Sequence, residues 1–308
     1  MPENEPVTLA AQIYIADVTG TMVNLYKQYF QFRAIHVLLL LAISSCGRQQ
    51  TSFRNPPAYD LNNSYVIKLP SELKEISGMA YYSKDNSLFA ESDEKGCLYK
   101  IFLNKPNDIR KWKFSHKRDY EDVVLVDSVF YMLCNNGDIV ALRFIDDSLT
   151  AREYTFPKQG KNEFESLYYD DTLKKLVLIC KECEGDDKAV VGAYSLDLQQ
   201  YMYNKAFAID VQSLDAMIGP VTKRIKPSAA TINPVTGQLY ILSSINKLLI
   251  VASRNGVIDQ VYSLNPSIFN QPEGIAFTPN GNLFISNEAT EGRAATIMFY
   301  KLRKADAK

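Results

Sequence analysis

Histidine is almost absent from this chain, and its scarcity excludes several kinds of catalysis. The 308 residues contain two histidines, His36 and His116. His36 lies in an N-terminal apolar run, so a hydrolase with a histidine base has His116 as its one candidate. That residue lies in a charged connection with no nucleophile motif beside it, and we interpret it as a solvated loop histidine. Glycine-rich phosphate loops and a His-Glu-x-x-His zinc motif are absent as well.

An excess of charge of either sign is also lacking. Two of the 34 basic and three of the 35 acidic side chains lie in the first 46 residues, which leaves 32 of each in the remainder. A neutral domain has no overall field that would attract nucleic acid or anionic lipid. We therefore expect no nucleic-acid partner.

The longest apolar run is too short to cross a membrane, which takes about 20 residues. This run, Ala34 to Ile43, follows Lys27 and Arg33 and is succeeded by two serines and Cys46. Positive charge, a short apolar centre and small residues are typical of a signal peptide. The ending Ile43–Cys46 resembles a bacterial lipobox, in which the chain is cut before the cysteine and the new N-terminal cysteine is lipidated. A buried helix that happens to end in cysteine is the alternative.

The N-terminal part then divides into three segments. Residues 22–45 are the predicted lipoprotein signal peptide, and residues 46–63 are a polar, lipidated tether. Residues 1–21 are acidic and precede the charged segment, so we interpret them as an upstream extension from a start codon assigned too early. Several acyl chains such as palmitate anchor a protein firmly, because each buried CH₂ contributes about 0.8 kcal/mol. We expect a bacterial cell-envelope protein, held to a membrane through a covalent lipid on Cys46, with its domain outside the cytoplasm.

A short phrase returns five times in the remaining chain. Its second residue is Ser77, Glu121, Glu165, Ser228 and Glu273, and the steps between these markers are 44, 44, 63 and 45 residues. Short β-like runs and turn residues fill each period. A period of this size predicts an all-β fold, a single β-propeller, over residues 64–303.

Each period accommodates four short strands, and the count gives five blades. The second unit is typical, with strands predicted at residues 121–126, 129–135, 138–144 and 151–156. The fifth unit is one strand short, and Tyr65–Leu69, ahead of the first unit, is predicted to complete it and close the ring. A sixth blade would require strands that the sequence does not show. The extra length of the fourth interval predicts one short helix, with Ser213 as its N-cap and Gly219 at its end.

Two-residue Asn-Gly links are expected to form type I′ hairpin turns, since Asn and Gly both accept positive φ. They fall between different strand pairs in different units: Asn136-Gly137, Asn255-Gly256 and Asn280-Gly281.

Polar residues recur at both the start of each innermost strand and the end of the second strand. These two positions meet at one mouth of the central channel, because the two strands are antiparallel. The acidic members, proposed as metal ligands, are Glu121, Glu165, Glu273, Asp93, Glu182 and Glu288. The other members, expected to form a ligand-binding rim, are Ser77, Asn135, Lys181, Ser228 and Asn287.

Carboxylates held close together must take up protons, pair with cations or bind a metal. Lys181 is the one basic residue among these positions, and oxygen ligands without histidine or cysteine suit a hard cation, so Ca²⁺ is the candidate cofactor. The alternative, which we favour slightly, is structural: the acids accept hydrogen bonds from backbone N–H groups of neighbouring blades.

Four cysteines remain after Cys46: Cys97, Cys134, Cys180 and Cys183. The last two have the spacing of a redox motif but lie at a strand end rather than at the start of a helix. Residues three apart on a regular strand face opposite ways, so free thiols are expected, with a Cys180–Cys183 disulfide as the second interpretation.

The sequence resembles the SdiA-regulated family of bacterial envelope proteins. The likeness covers about residues 65–302 and rests on Glu75–Tyr81, Leu88–Ala90, Ser92–Glu94, Asn162–Leu167, Thr236–Tyr240, Gln271–Ala276 and Leu283–Glu288. The resemblance implies a propeller that is attached to or faces the envelope, and it carries no assigned activity. The chain departs from the family pattern at Ser228-Ala229, where Ser-Gly is more usual, so the fourth blade is expected not to contribute to a channel site.

Two functions fit these observations. The first is a non-catalytic lipoprotein whose propeller binds a small-molecule ligand or a protein in the envelope, with Ca²⁺ as a candidate structural ion. The second is a Ca²⁺-dependent ester, lactone or phosphoester hydrolase with an axial glutamate as base.

Overall fold

The computed structural model describes residues 53–92, 95–114, 118–146, 148–157, 160–184, 186, 189–219 and 224–303. Within them, twenty strands form five four-stranded antiparallel sheets. Each sheet is one blade, and the fold is the five-bladed β-propeller that the repeat predicted. The predicted lipidation site Cys46, together with Asp93 and His116, lies outside the described residues. No helix of the described part has the length and apolarity needed to cross a membrane.

The strands are numbered in chain order, and within the first four blades they run from the channel outward. The first blade contains β2 (Ile76–Tyr82), β3 (Ser87–Ser92), β4 (Cys97–Phe102) and β5 (Ile109–Lys113), and the second contains β6 (Tyr120–Val126), β7 (Val129–Cys134), β8 (Ile139–Ile145) and β9 (Ser148–Tyr154). The third contains β10 (Asn162–Asp170), β11 (Lys175–Cys183), β12 (Val190–Asp197) and β13 (Tyr203–Asp210), and the fourth contains β14 (Ala229–Ile232), β15 (Leu239–Ser243), β16 (Leu248–Ala252) and β17 (Ile258–Ser263).

The fifth blade is built from both ends of the described chain. It contains β18 (Pro272–Phe277), β19 (Leu283–Asn287), β20 (Thr296–Tyr300) and, as its outermost strand, β1 (Tyr65–Lys68). Strand β1 is antiparallel to β20, with Tyr65 opposite Phe299 and Lys68 opposite Thr296. The predicted closure by the N-terminal strand is confirmed.

The ring has two rims. The innermost strands begin at the mouth rim, which carries the marker residues of the repeat. They end at the hairpin rim, which carries the turns after the first and third strands of each blade, such as the turn from Tyr82 to Ser87. Because neighbouring strands are antiparallel, the second strand of each blade returns to the mouth rim.

The core lies between adjacent blades, in five apolar clusters that each join two neighbouring sheets. Between the fourth and fifth blades, Tyr240 packs edge to face on Tyr59 at 6.4 Å and on Phe277 at 5.2 Å between ring centroids. Tyr59 is fully buried and Leu61 is 4% exposed, so the described end of the predicted tether packs against the propeller.

Backbones of neighbouring blades come very close where the repeated phrase has glycine. A Cβ atom on Gly78 would lie 2.4 Å from the Cα of Asp122 in the next blade. A Cβ atom on Gly274 would lie 2.2 Å from the carbonyl oxygen of Ser77. Glycine is therefore required at these positions by contact between blades, since any side chain would push the inner strands apart.

The three Asn-Gly turns differ from the prediction. Gly137, Gly256 and Gly281 have φ of 92°, 83° and 83°, but the preceding asparagines do not have positive φ. Each loop has three residues, with the glycine N–H donating to the carbonyl three residues earlier, as Gly137 does to Cys134. This is a type I turn followed by a left-handed glycine, so the type I′ prediction was wrong. Their predicted placement between different strand pairs is confirmed.

The predicted helix is present as α1 (Val211–Ile218), and it ends at Gly219, whose φ is 83°. Its N-cap is Asp210, whose carboxylate accepts a hydrogen bond from the Gln212 N–H, so Ser213 as N-cap was wrong. The Ser213 hydroxyl instead donates to the Asp210 carbonyl from the first turn.

The expectation of free thiols at Cys180 and Cys183 was wrong, because these residues form a disulfide. In β11, Glu182 pairs with Glu163 and Cys180 pairs with Phe164, which leaves Lys181 as an extra, unpaired residue. This bulge turns both cysteines to one side of the strand, which a regular strand would not do at a spacing of three. Cys97 and Cys134 are free thiols.

Candidate binding site at the channel mouth

The marker residue of the repeat is a β-bulge in four of the five innermost strands. In β6, Tyr120 pairs with Cys134 and Asp122 with Leu133, so Glu121 is the extra residue. Glu165 in β10 and Glu273 in β18 occupy the same position, and in β2 the two residues Ser77 and Gly78 lie opposite the single residue Glu91. A bulge re-aims a side chain that pairing would otherwise fix. The repeated phrase thus places a β-bulge at the mouth rim in four of the five blades.

A cavity of about 480 Å³ opens at this rim. All five markers line it, together with two further predicted residues, Lys181 and Glu288. The remaining lining residues are Asp119, Lys226, Ser244, Ile245, Lys247 and Gln271. Sequence reasoning placed these seven residues in one region, and the structure brings them together; whether they bind a ligand or metal stays a prediction.

Three predicted residues lie outside the lining. Asn135 donates its side-chain amide to Asp119 at 3.0 Å and accepts the Phe164 N–H through its carbonyl, which links the second and third blades. Asn287 is buried, with its amide 3.4 Å from the Ile268 carbonyl. Glu182 pairs with Lys226 at 2.7 Å and Lys161 at 3.2 Å. These three side chains act as connections within the protein.

Sequence reasoning missed two lysines of the cavity, Lys226 and Lys247. From the fourth blade it expected nothing beyond the rim position Ser228, yet that blade also supplies both lysines and Ser244. A signal for part of this was present. Asp119, Lys226 and Gln271 each stand two residues before a marker, so a third repeated position also faces the mouth.

The charges inside the cavity are of both signs and unevenly distributed. The acids Asp119, Glu121, Glu165, Glu273 and Glu288 come from the second, third and fifth blades. Two of the three lysines belong to the fourth blade, where Lys226 precedes the first strand and Lys247 precedes the third strand. Lys181 lies on the third blade. Five acids against three lysines leave a local negative excess, and two of the lysines lie on the side of the fourth blade, where Lys226 is paired with Glu182.

Lys181 and Glu165 form an ion pair that faces the cavity. Burial alone would lower the pKa of Lys181, but the Glu165 carboxylate, with weaker contributions from Glu121 and Glu163, raises it above its usual value. Burial raises the pKa of Glu165, and the Lys181 ammonium opposes that rise. The Lys181 ammonium therefore already balances the charge of Glu165, one of the proposed metal ligands.

Glu273 is the most perturbed acid of the lining. Burial, followed by the nearby carboxylates of Glu165 and Glu288, raises its pKa to about 8, although the Ser244 hydroxyl and Lys181 act in the opposite direction. Near neutral pH this glutamate is mostly protonated. The mouth therefore contains a group whose charge appears as the pH passes through about 8, or when a cation replaces the proton.

The structural role that we favoured for the acids stays a prediction, and three side chains around the mouth form hydrogen bonds to backbone groups. The Asp122 carboxylate accepts the N–H of Leu167 in the next blade at 2.8 Å, and Glu91 accepts the N–H of Gly78 at 2.9 Å. The Ser228 hydroxyl donates to the Pro272 carbonyl at 2.8 Å, which joins the fourth and fifth blades. The bonds to Asp122 and from Ser228 join neighbouring blades, and the Glu91–Gly78 bond lies within the first blade. The glutamate markers line the cavity.

The carboxylates of the mouth do not form a compact metal site. Among the described residues, the one group of three or more candidate ligands with atoms within 4.8 Å of one another is Cys180, Cys183 and Asp186. Its two cysteines are joined in a disulfide, so it cannot supply thiolates. Ca²⁺ takes six to eight oxygens at 2.3–2.6 Å. The fit is therefore incomplete, and a cation at the mouth would have to draw the glutamates together.

These features define a five-bladed β-propeller with a mixed-charge cavity at one end of its channel. The chain belongs to the SdiA-regulated family, whose model matches residues 62–291.

Two solved structures show the same fold at very low sequence identity. A luciferin-regenerating enzyme matches with a TM-score of 0.50 and 11% identity, over 79% of this chain and 96% of that one. The glutaminyl cyclase of Myxococcus xanthus matches with a TM-score of 0.50 and 12% identity, over 78% of this chain and 98% of that one. A comparison with curated proteins finds no significant match. Identities this low establish the fold alone.

Proposed function

We propose that this protein is a lipid-anchored binding protein of the bacterial cell envelope, whose propeller takes a small polar ligand at the channel mouth. The observation that carries the proposal is the cavity of about 480 Å³ lined by five acids and three lysines. A cavity of this volume lies within the range of small-molecule sites, and its convergent charged groups would fix the orientation of a ligand.

The arrangement of charge points to the ligand class. Glutamates of the second, third and fifth blades would hold a cationic group, such as an ammonium, and Lys226 and Lys247 on the fourth blade would hold an anionic group. A ligand with both charges fits this cavity better than a simple anion or cation. Neither histidine nor cysteine lines the described cavity, which supports binding over nucleophilic chemistry.

Ca²⁺ stays a second candidate for the mouth, because glutamate oxygens are the donors that a hard cation prefers. The hydrolase alternative depends on it, since it needs a bound cation to polarise an ester or phosphoester bond. Among the described residues, no three carboxylates of the mouth have oxygens within 4.8 Å of one another, and this and the Lys181–Glu165 pair weigh against the alternative.

The test is calorimetric titration of the purified protein with a panel of zwitterionic small molecules and, separately, with CaCl₂, at pH 6 and pH 9. A zwitterion held through its ammonium should bind more tightly at pH 9, provided that the ammonium remains charged, because Glu273 is then ionised. Glu273→Gln should abolish this gain, whereas Lys113→Gln, at an exposed position of the outermost strand of the first blade and outside the cavity lining, should not. Elemental analysis and melting curves with and without chelator test Ca²⁺ directly. Absence of binding by every member of the panel, together with metal-dependent turnover of an ester, would overturn the proposal in favour of the hydrolase.

A further inference from the structure

We propose that the hairpin rim of the propeller faces the membrane and that the channel mouth points away from it. This inference rests on the proposed lipid anchor and adds to it a bilayer contact surface. It follows from three independent observations: where the N-terminal segment joins the propeller, where exposed apolar side chains lie, and where a cationic groove lies.

The N-terminal segment joins the propeller at the hairpin rim. The Tyr59 hydroxyl donates to the Gly281 carbonyl at 2.7 Å and accepts from the Asn233 amide at 3.0 Å. Both partners belong to turns after the innermost strands, in the fifth and fourth blades. The Ala58 carbonyl also accepts the N–H of Arg303, just beyond the end of β20 at the same rim.

The proposed lipid on Cys46 lies close to this attachment along the chain. Seven residues lead from Cys46 to Phe53, where the described structure begins, and they span at most about 25 Å when extended. The five-residue strand β15 alone separates the two rims by about 17 Å. The tether is long enough to reach either rim, so its arrival at the hairpin rim, and not its length, favours contact between that rim and the bilayer.

Exposed apolar side chains are concentrated on that same rim. Of eleven large hydrophobic residues exposed in the described part, six lie in the turns after the first or third strand of a blade or, for Ile145, at the strand end beside such a turn. These residues are Ile145, Leu173, Tyr201, Met202, Val235 and Val257. They come from the second, third and fourth blades and are separated in sequence, so the ring places them on one side. Isolated apolar tips of this kind suit the interface of a bilayer, where side chains enter the headgroup region.

A cationic groove of about 380 Å³ lies at the hairpin rim between the first and second blades. Its lining includes Lys84, Lys100, Arg110 and Arg143, with Asp127 as its one acid. Lys100 pairs with Asp85 beside the groove, and the balance stays positive. Such a groove is complementary to the phosphate of an anionic lipid headgroup. The rim as a whole therefore offers a bilayer both apolar tips and a local positive site.

The experiment uses two tryptophan variants in the same blade. Trp112 is the sole tryptophan, so Trp112→Phe provides a background without tryptophan fluorescence. Val257→Trp, at a position 60% exposed, reports on the hairpin rim, and Ile245→Trp, at a position 48% exposed, reports on the mouth rim of the same blade. The full lipidated chain is reconstituted into phosphatidylethanolamine–phosphatidylglycerol vesicles with brominated acyl chains, which quench only nearby tryptophan. Circular dichroism melts check that both variants fold.

Flotation of the vesicles separates failure of the anchor from failure of the orientation. If the chain floats and Val257→Trp is quenched at least twofold more than Ile245→Trp, the orientation is supported. If the chain floats and the two positions are quenched equally, or neither is quenched, or the mouth position is quenched more, the orientation is wrong while the anchor stands. If the chain does not float, the proposed anchor and this inference both fall.

Discussion

The replacement Glu273→Gln tests the electrostatics of the channel mouth most directly. Glutamine keeps the size and hydrogen-bonding capacity of the side chain but cannot ionise. In the native protein, burial and the neighbouring carboxylates Glu165 and Glu288 raise the pKa of Glu273 to about 8, so that folding favours its protonated form. The change removes a group whose ionisation destabilises the folded state.

The sign and size of the effect follow from the two pKa values. In the unfolded chain the pKa of Glu273 is its ordinary value, 4.5, and in the folded chain it is about 8. The stability due to this group is fully present below pH 4.5 and is lost progressively as the pH rises to about 8. Each unit of pKa corresponds to about 1.4 kcal/mol. Because the side chain is partly accessible to water, we expect a loss on the order of 2–4 kcal/mol, below the full value.

The assay is urea unfolding of the wild type and Glu273→Gln at intervals from pH 4.5 to pH 9. The free energy of unfolding of the variant, relative to the wild type, should rise by that amount between the two ends. Glu182→Gln is the matched control. Lys226 and Lys161 lower the pKa of Glu182 to about 2, so above about pH 5.5 it is ionised in both the folded and the unfolded chain and its difference from the wild type should be flat there. A flat difference for Glu273→Gln as well would refute the proposed crowding of carboxylates at the mouth.

Three further changes test the packing of the ring. Gly274→Ala should lower the free energy of unfolding by about 1–3 kcal/mol, because its Cβ atom would lie 2.2 Å from the Ser77 carbonyl oxygen. Ala229→Gly, at the equivalent place in the fourth blade, should lower it less. Equal melting temperatures for Gly274→Ala and the wild type would contradict this. Asp122→Ala should cost about 1–3 kcal/mol in urea unfolding, since it removes the acceptor of two backbone N–H groups, Val123 and Leu167, and an unchanged midpoint would show that the link between blades is dispensable. Replacing Cys180 and Cys183 by serine should cost about 2 kcal/mol, the chain-entropy value for so short a loop, and a reductant should lower the melting temperature of the wild type but not of the variant.

The architecture could be predicted because each blade repeats the same sequence phrase and the same number of strands. Five returns of one phrase fixed the number of blades, and a missing strand in the last unit pointed to Tyr65–Leu69 as its completion, which β1 provides. Local geometry was less accessible. Asn-Gly suits both a type I′ turn and a type I turn followed by a left-handed glycine. Which one forms depends on whether two or three residues lie in the loop between the paired strands. Likewise Asp210 and Ser213 are both good N-caps, and the length of β13 decides between them.

The candidate site was partly visible for the same reason, and partly hidden by bulges. The markers repeat, so their convergence at one mouth followed from the topology. A bulge leaves no reliable mark in a single sequence, so neither the extra residue in β11 nor the disulfide that depends on it could be derived. Lys247 was missed because it precedes β16, a position that the comparison of units did not include.

The departure of the fourth blade from the repeat gains a meaning from the structure. At the first and fifth blades the marker is followed by glycine, which allows the inner strands of neighbouring blades to come into contact. The bulge at the marker directs its side chain toward the mouth. At the fourth, Ser228 is followed by Ala229, and β14 pairs with β15 without a bulge. The charged groups on that side are then Lys226 and Lys247, which flank the regular strands. The blade that breaks the repeat is therefore the one that brings two lysines to the cavity. A ligand that contacts only the repeated acids would gain nothing from the two lysines, whereas a ligand with two opposite charges would contact both groups.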